Sequence, residues 1–326
     1  MSGSKCVIQR LDLSNYPLLV PLMKDCFAMD VSPGYFKWKY FDNPAGACVG
    51  FMAIEKDTNR AVSFFGAMPQ KYLLDGKEIK IFQGCDFMTH SQHRKKSLFP
   101  VLAKECCDQL KDQHNFFMIS IGGTPRSLPV LKYFGWRILF NFKNYFKPNI
   151  FCRFCFFKKY PSNSFVAESS VDLIKELITD QPRLSKIKSP RSPEHYKWRI
   201  SNPNYNYKIV SYKKADAKKG FVVYFVQNNK ILLFDFVFKD TDSKKALLWY
   251  LSKEVVKNKY KGIVSFCQED SFESQQLKKS FFISNPFKKG PLSDKPPFLI
   301  YSDEETMEKF SSRDKWALTA YDYDAL

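Results

Sequence analysis

Eleven consecutive residues, Thr89-His90-Ser91-Gln92-His93-Arg94-Lys95-Lys96-Ser97-Leu98-Phe99, bring two imidazoles and three adjacent cations to one place in the chain. They follow the apolar run Cys85-Asp86-Phe87-Met88-Thr89 and precede a helix-period segment from Leu98 to Leu110. A junction from strand to helix presents unpaired N–H groups and the positive end of the helix dipole. A phosphate or pyrophosphate docks well there, and Arg94, Lys95 and Lys96 add attraction. The alternative is a solvated basic loop.

Two groups beside the loop could move protons. Asp86 is a carboxylate on an otherwise apolar strand, where desolvation would make it a better base. His90 titrates near neutrality. Each has a plainer reading: Asp86 as one half of an ion pair with a Lys or Arg, His90 as a loop hydrogen-bonding group.

These residues need a frame, and an internal repeat provides one. Ser32-Pro33-Gly34-Tyr35-Phe36-Lys37-Trp38-Lys39-Tyr40, followed by Asn43-Pro44, recurs as Ser192-Pro193-Glu194-His195-Tyr196-Lys197-Trp198-Arg199-Ile200, followed by Asn202-Pro203. The strand around Asp86 recurs as Phe234-Asp235-Phe236-Val237-Phe238. The spacing predicts a duplicated domain. In the first copy it predicts strands over 49–54 and 61–68, a hairpin of 72–74 with 78–88 across Asp75-Gly76, and a strand over 116–121. A helix over 126–134 and a strand from Trp136 follow. The second copy has strands over 208–212, 221–226 and 230–238, a helix over 243–257, a strand over 262–266 and a helix over 273–281. This order is that of a mixed α/β (α+β) fold, with a central sheet flanked by helices in each copy. The polar stretch 158–164 separates an expected domain of residues 1–157 from one of 165–326.

Composition narrows the partners. With 326 residues, 44% apolar and 17% aromatic, the chain has enough apolar side chains to fold. Its apolar runs are of strand length, short of the roughly 18 residues a spanning helix needs. No signal-peptide core fits a start that carries Arg10, Asp12 and Asn15, so a cytoplasmic location is expected. Nine cysteines, an odd count with Cys106 and Cys107 adjacent, read as reduced thiols with no metal site. A net charge of +18 favours polyanionic partners without choosing among them.

Arg94-Lys95-Lys96-Ser97-Leu98-Phe99 resembles the acyl-CoA pyrophosphate loop of the GCN5-related N-acetyltransferases, Arg/Gln-x-x-Gly-x-Gly/Ala, and Tyr133-Phe134-Gly135-Trp136 resembles that family's Gly-containing helix ending. The halves together look like two tandem domains of this fold. The resemblance implies acyl-CoA as donor, held by Phe87, Met88, Arg94, Lys95, Lys96, Ser97, Leu98 and Phe99, with Thr124 and Ser127 near the next helix. It implies direct attack of an amine on the thioester, an N–H near Met88 facing the oxyanion, and Asp86 or His90 as base. Ser97 and Phe99 stand where the pattern has small residues, and Leu131 stands where a tyrosine often protonates the leaving thiolate.

Trp38, Tyr40 and Asn43, the tract Gly66-Ala67-Met68-Pro69 and the closing Trp316-Ala317-Leu318-Thr319 with Asp322 and Asp324 are more narrowly similar to bacterial acyltransferases of surface-polysaccharide (O-antigen) pathways. That likeness implies an amino sugar on a nucleotide, such as a dTDP-3-amino-3,6-dideoxyhexose, as acceptor. Trp38, Tyr40 and Asn43 would then wall the acceptor site, and Asp322 and Asp324 would orient its amine. Repetition of Trp38 as Trp198 favours packing for that residue. Asp240 and Asp242 ahead of the second helix would repel a diphosphate, so coenzyme is expected in the first half alone. The rival reading is a basic RNA- or aminoacyl-tRNA-binding protein on the same scaffold. The sequence has no RNA-recognition signature to support it.

Overall fold

The computed structural model describes residues 6–111, 116–123, 127–154, 159–179, 187–285, 287, 289–290, 292–293 and 296–323. Turn chemistry sets its hairpins. Asp75 and Gly76 both have positive φ and close strand β3 (Arg60–Leu74) onto β4 (Lys77–Thr89). Asn228 and Asn229, also at positive φ, close β9 (Ala217–Gln227) onto β10 (Lys230–Phe238). The sequence predicts two strands where β3 is one, because Pro69 reads as a terminator. Pro69 lies past the point where β2 (Val49–Glu55) stops pairing at Ala67, so the edge that lacks its N–H has no ladder to break.

The remaining strands are β1 (Cys6–Arg10), β5 (Met118–Ile121), β6 (Arg137–Pro148), β7 (Phe165–Glu168), β8 (Lys208–Lys214), β11 (Gly262–Gln268) and β12 (Pro297–Tyr301). All twelve form one mixed sheet in the order β1-β2-β3-β4-β5-β12-β6-β11-β10-β9-β8-β7. The copies are thus joined by an exchange at the centre. β12, from the C-terminal half, pairs with β5, and β6, from the N-terminal half, pairs with β11. β12 and β6 also pair with each other. The sequence reading misses β12, which has only five residues and begins at a proline.

Helices cover both faces. α1 (Leu19–Phe27) and α2 (Pro33–Tyr40) share a core cluster with Phe64, Cys85 and Met88. α3 (Leu98–Lys111) and α4 (Ser127–Tyr133) pack against Phe82 and Trp136. After the short α5 (Asn149–Arg153) and α6 (Lys175–Thr179), α7 (Pro193–Ile200), α8 (Thr241–Lys257) and α9 (Phe272–Lys278) take the corresponding places in the second half. The repeated motif is therefore α2 in one copy and α7 in the other, and the copies meet through it. The Trp38 and Trp198 rings stack at 5.2 Å and 20°, and each indole N–H donates to the other's carbonyl, at 2.6 and 2.9 Å. Among the described residues no helix is long and apolar enough to cross a membrane.

Candidate active site: the fork between β4 and β5

β4 and β5 run parallel but pair only at Phe82 with Met118 and Gln83 with Ile119, then diverge. On one bank β4 bulges: between the pairs Phe64–Met88 and Gly66–Cys85 it carries two residues, Asp86 and Phe87, against one. Asp86 takes the left-handed conformation, φ 49°, which turns its side chain towards α2. The Lys39 ammonium lies 2.8 Å from Asp86 Oδ2, and the Tyr40 hydroxyl donates to the same oxygen at 2.5 Å. Lys39 is 1% exposed, so the alternating Lys37 and Lys39 do not form one solvated face; only Lys37 does, paired with Asp42. Burial and the neighbouring Asp86 carboxylate raise the Tyr40 phenol well above its ordinary range, so it remains a donor. Asp86 is thus ion-paired through Oδ2, and Oδ1 is the oxygen outside both contacts.

The loop beyond β4 is exposed from Arg94 to Ser97. Arg94 Nε donates to the Thr89 carbonyl at 3.3 Å, folding the guanidinium stem back along the strand end. Lys95 (φ 69°) and Ser97 (φ 56°) both adopt the left-handed conformation. Ser97 thus has at its own backbone the geometry that a glycine would give freely there. α3 starts at the next residue and has no acidic side chain in its first turn. Phe99 points inward: it packs on Phe65 at 5.5 Å and on Phe87 at 5.6 Å, leaving the helix entrance clear of its ring.

The other predicted residues scatter. His90 is pinned, its Nδ1 accepting from Gln92 N–H at 3.3 Å and its Nε2 lying 3.5 Å from Asp25. Phe87 stacks on Phe65 at 4.5 Å, and Met88 is buried beside α1 and α2. Leu98 and Ser127 open α3 and α4. Trp38 is buried in the contact between copies, and Asn43 is a buried turn residue whose amide donates to the Pro69 carbonyl. Asp322 lies between the halves with Gln70, Tyr72, Gln83, His195 and Arg199, and accepts from Thr319 N–H at 2.9 Å. Thr124 and Asp324 lie outside the described residues. The sequence reading missed Lys39 as the partner of Asp86. The repeat gives no signal for it: Arg199 stands at the same position, but Asp235 pairs with Arg191.

The second half has the same fork between β10 and β11, which pair only at Ile231–Ile263 and Leu232–Val264. β10 bulges at Phe234, beside Asp235, which Arg191 holds at 3.1 Å. This fork encloses a cavity lined by Arg191, Asp235, Phe238, Ser265, Phe272 and Gln276, and its helix entrance is taken. Asp240 caps α8, accepting from Ser243 N–H at 2.7 Å. The C-terminal segment enters the gap, where Thr319 pairs with Cys267 and Gln268 N–H donates to the Leu318 carbonyl.

Residues 8–139 match the model of the acetyltransferase (GNAT) domain. Comparison with curated protein sequences finds no significant match. Solved structures agree with the chain nearly end to end. A probable N-acyltransferase from Enterococcus faecalis superposes with a TM-score of 0.71 at 11% identity, over 93% of this chain and 74% of that one. A GCN5-related N-acetyltransferase from Anabaena variabilis gives 0.64 at 10% identity, over 91% and 72%. The Saccharomyces cerevisiae N-myristoyltransferase, solved with myristoyl-CoA, gives 0.63 at 14% identity, over 92% and 83%. Residues 8–139 thus match a GNAT acetyltransferase domain, and the chain as a whole has the fold of these N-acyltransferases.

Proposed function

We propose that the enzyme transfers an acyl group from acyl-CoA, bound in the β4–β5 fork, to the primary amine of an amino sugar carried on a nucleotide. The observation that carries the donor half is the entrance to α3: an exposed Arg94-Lys95-Lys96, left-handed backbone at Lys95 and Ser97, and no acid in the first helical turn. A diphosphate there meets N–H groups, the helix dipole and full charges together. The acceptor half draws its support from the net charge of +18, suited to an acceptor with its own diphosphate, and from the resemblance of the closing tract. In this reading residues 1–157 take the donor, and 165–326 complete the acceptor site or brace it.

The chemistry is direct attack in a ternary complex. Holding amine and thioester in contact contributes much of the rate, and a backbone N–H at the β4 bulge aimed at the carbonyl oxygen contributes about 3 kcal/mol more. Lys39 and Tyr40 both bind Asp86 Oδ2, which fixes the carboxylate and leaves Oδ1 to receive the amine's proton. His90, committed at both ring nitrogens, is a poorer base.

Thiol release from acetyl-CoA, 3-hydroxyacyl-CoA and myristoyl-CoA, each with a panel of amino-sugar nucleotides, tests the reading. Turnover with a nucleotide-linked amine and not with the free sugar is the expected result. CoA binding without turnover of any amine overturns the acceptor assignment. Steeply salt-dependent RNA binding without CoA binding overturns the donor as well.

A further inference from the structure

The C-terminal segment does more than pair with β11 in the second fork. After Thr319 it turns through Ala320–Asp322 and delivers Tyr323 to the first half. Arg199 anchors it there, donating to the Tyr323 carbonyl at 2.8 Å, and the Tyr323 ring stacks on Phe266 at 5.2 Å and 27°. The hydroxyl end of that ring reaches Gly122, immediately after β5. A β-carbon built on Gly122 would lie 3.7 Å from the Tyr323 hydroxyl. Gly122, at φ 115°, has no side chain to screen it.

The position of Gly122 gives this contact its meaning. β4 and β5 are in register at Gln83–Ile119, so counting three residues on along each strand sets Asp86 level with Gly122 on opposite banks of the fork. Asp86 marks the bulge, where the thioester carbonyl is held in the proposed reaction. The facing bank at that level is occupied by a phenol.

We propose that Tyr323 is a catalytic residue of the first half, donating its hydroxyl proton to the sulfur of acyl-CoA as the thiolate leaves. The proposal rests on the donor half of the proposed function. In the step, the amine nitrogen bonds to the thioester carbon and the C–S bond breaks with its electron pair going to sulfur. Sulfur takes the Tyr323 proton, and the proton shed by the amine passes to Asp86 or water. The tyrosinate regains a proton from solvent, so the sum is thioester plus amine giving amide plus thiol. A phenol suits the task because it is neutral near pH 7 and donates a strong hydrogen bond to an anion. α4 has no hydroxyl at Leu131 to serve instead.

The test uses the full chain with 3-fluorotyrosine at position 323. Saturation with CoA should shift the fluorine resonance, and saturation with desulfo-CoA, which keeps every other contact, should leave it near the free position. Equal shifts with both overturn the proposal while leaving CoA binding intact, and failure of CoA to bind overturns the donor reading with it. Tyr323→Phe, with its ring stacking preserved, should lower kcat for acetyl-CoA about 10- to 100-fold with the KM for acetyl-CoA within twofold. The loss should shrink several-fold with an aryl thioester, whose thiolate needs no proton. Equal losses with both thioesters would assign Tyr323 a merely structural role. Should Tyr323→Phe fail to fold, Arg199→Lys, which loosens the anchor on the Tyr323 carbonyl, should show the same preference for the aryl thioester in weaker form, and its absence would overturn the proposal.

Discussion

Two helix entrances, at Leu98 and Thr241 and equivalent in the repeat, differ in the sign of what guards them. α3 is entered through Arg94-Lys95-Lys96-Ser97 with no acid in its first turn. α8 is entered through Asp240, whose carboxylate accepts from the Ser243 N–H, with Asp242 behind it. The forks below them are alike at the bulge, which carries an ion-paired carboxylate in each, Asp86 with Lys39 and Asp235 with Arg191, and differ in that the C-terminal segment pairs with β11 inside the second. In the proposed reading the first copy takes the donor, and the second uses the equivalent positions for internal structure, Asp240 as a helix cap and the β11 edge as a partner of Thr319.

The comparison can be broken most severely at the buried charges. Lys39→Met should strip Asp86 of its partner and cost about 3–5 kcal/mol in urea unfolding, the penalty for an uncompensated buried carboxylate. A loss under 1 kcal/mol would mean that water reaches the pair. Trp38→Ala and Trp198→Ala should each cost about 3–5 kcal/mol. Because each ring is the other's partner, the double variant should fall short of the sum by about 0.5–3 kcal/mol, and strict additivity would mean that the stacked contact is not shared.

The entrances themselves come next. Arg94→Glu should raise the KM for acyl-CoA about tenfold or more with an unchanged Tm, whereas Asp240→Ala should leave KM alone and cost about 1 kcal/mol of stability as a lost helix cap. If the two outcomes were exchanged, the assignment of donor to the first copy would be wrong.

A subtler difference concerns acid. His195, pressed between the halves, is held down to about 3 by burial first and by Arg199 and Arg191 next. Its folded value lies below its unfolded one, so it contributes stability that is complete above about pH 6.5 and lost as pH falls towards 3. Asp322 is raised to about 6, chiefly by burial, so its contribution runs the other way: complete below about pH 4 and lost as pH rises to 6. Between pH 4 and 6 the two nearly cancel. Asp322→Asn should expose the His195 slope, about 1 kcal/mol per pH unit in that window, measured by chemical denaturation. A variant as flat as the parent would mean that His195 titrates normally.

Much of this was legible beforehand because it is local. The repeat, the hairpins at Asp75-Gly76 and Asn228-Asn229, the α3 segment and the basic loop all follow from neighbouring residues, and the structure has each of them. What escaped depends on distant chain. The five residues of β12 have no pattern of their own and are strand because β5 and β6 flank them. Lys39 looks like one of two surface lysines until the left-handed turn at Asp86 brings a carboxylate to it. Trp38 packs, as its repetition indicates, but its neighbours do not reveal that its partner is its own duplicate, 160 residues along the chain.

The exchange of β12 and β6 has a consequence for biosynthesis. Until residues 297–301 have been made, β5 and β6 have no strand between them, and the emerging N-terminal half carries two unpaired edges beside a nearly finished core. Such edges invite pairing with other chains. On the ribosome this protein must therefore wait, open and adhesive, for residues 297–301, and holdase chaperones should matter more to its yield than to that of a chain whose two halves close independently.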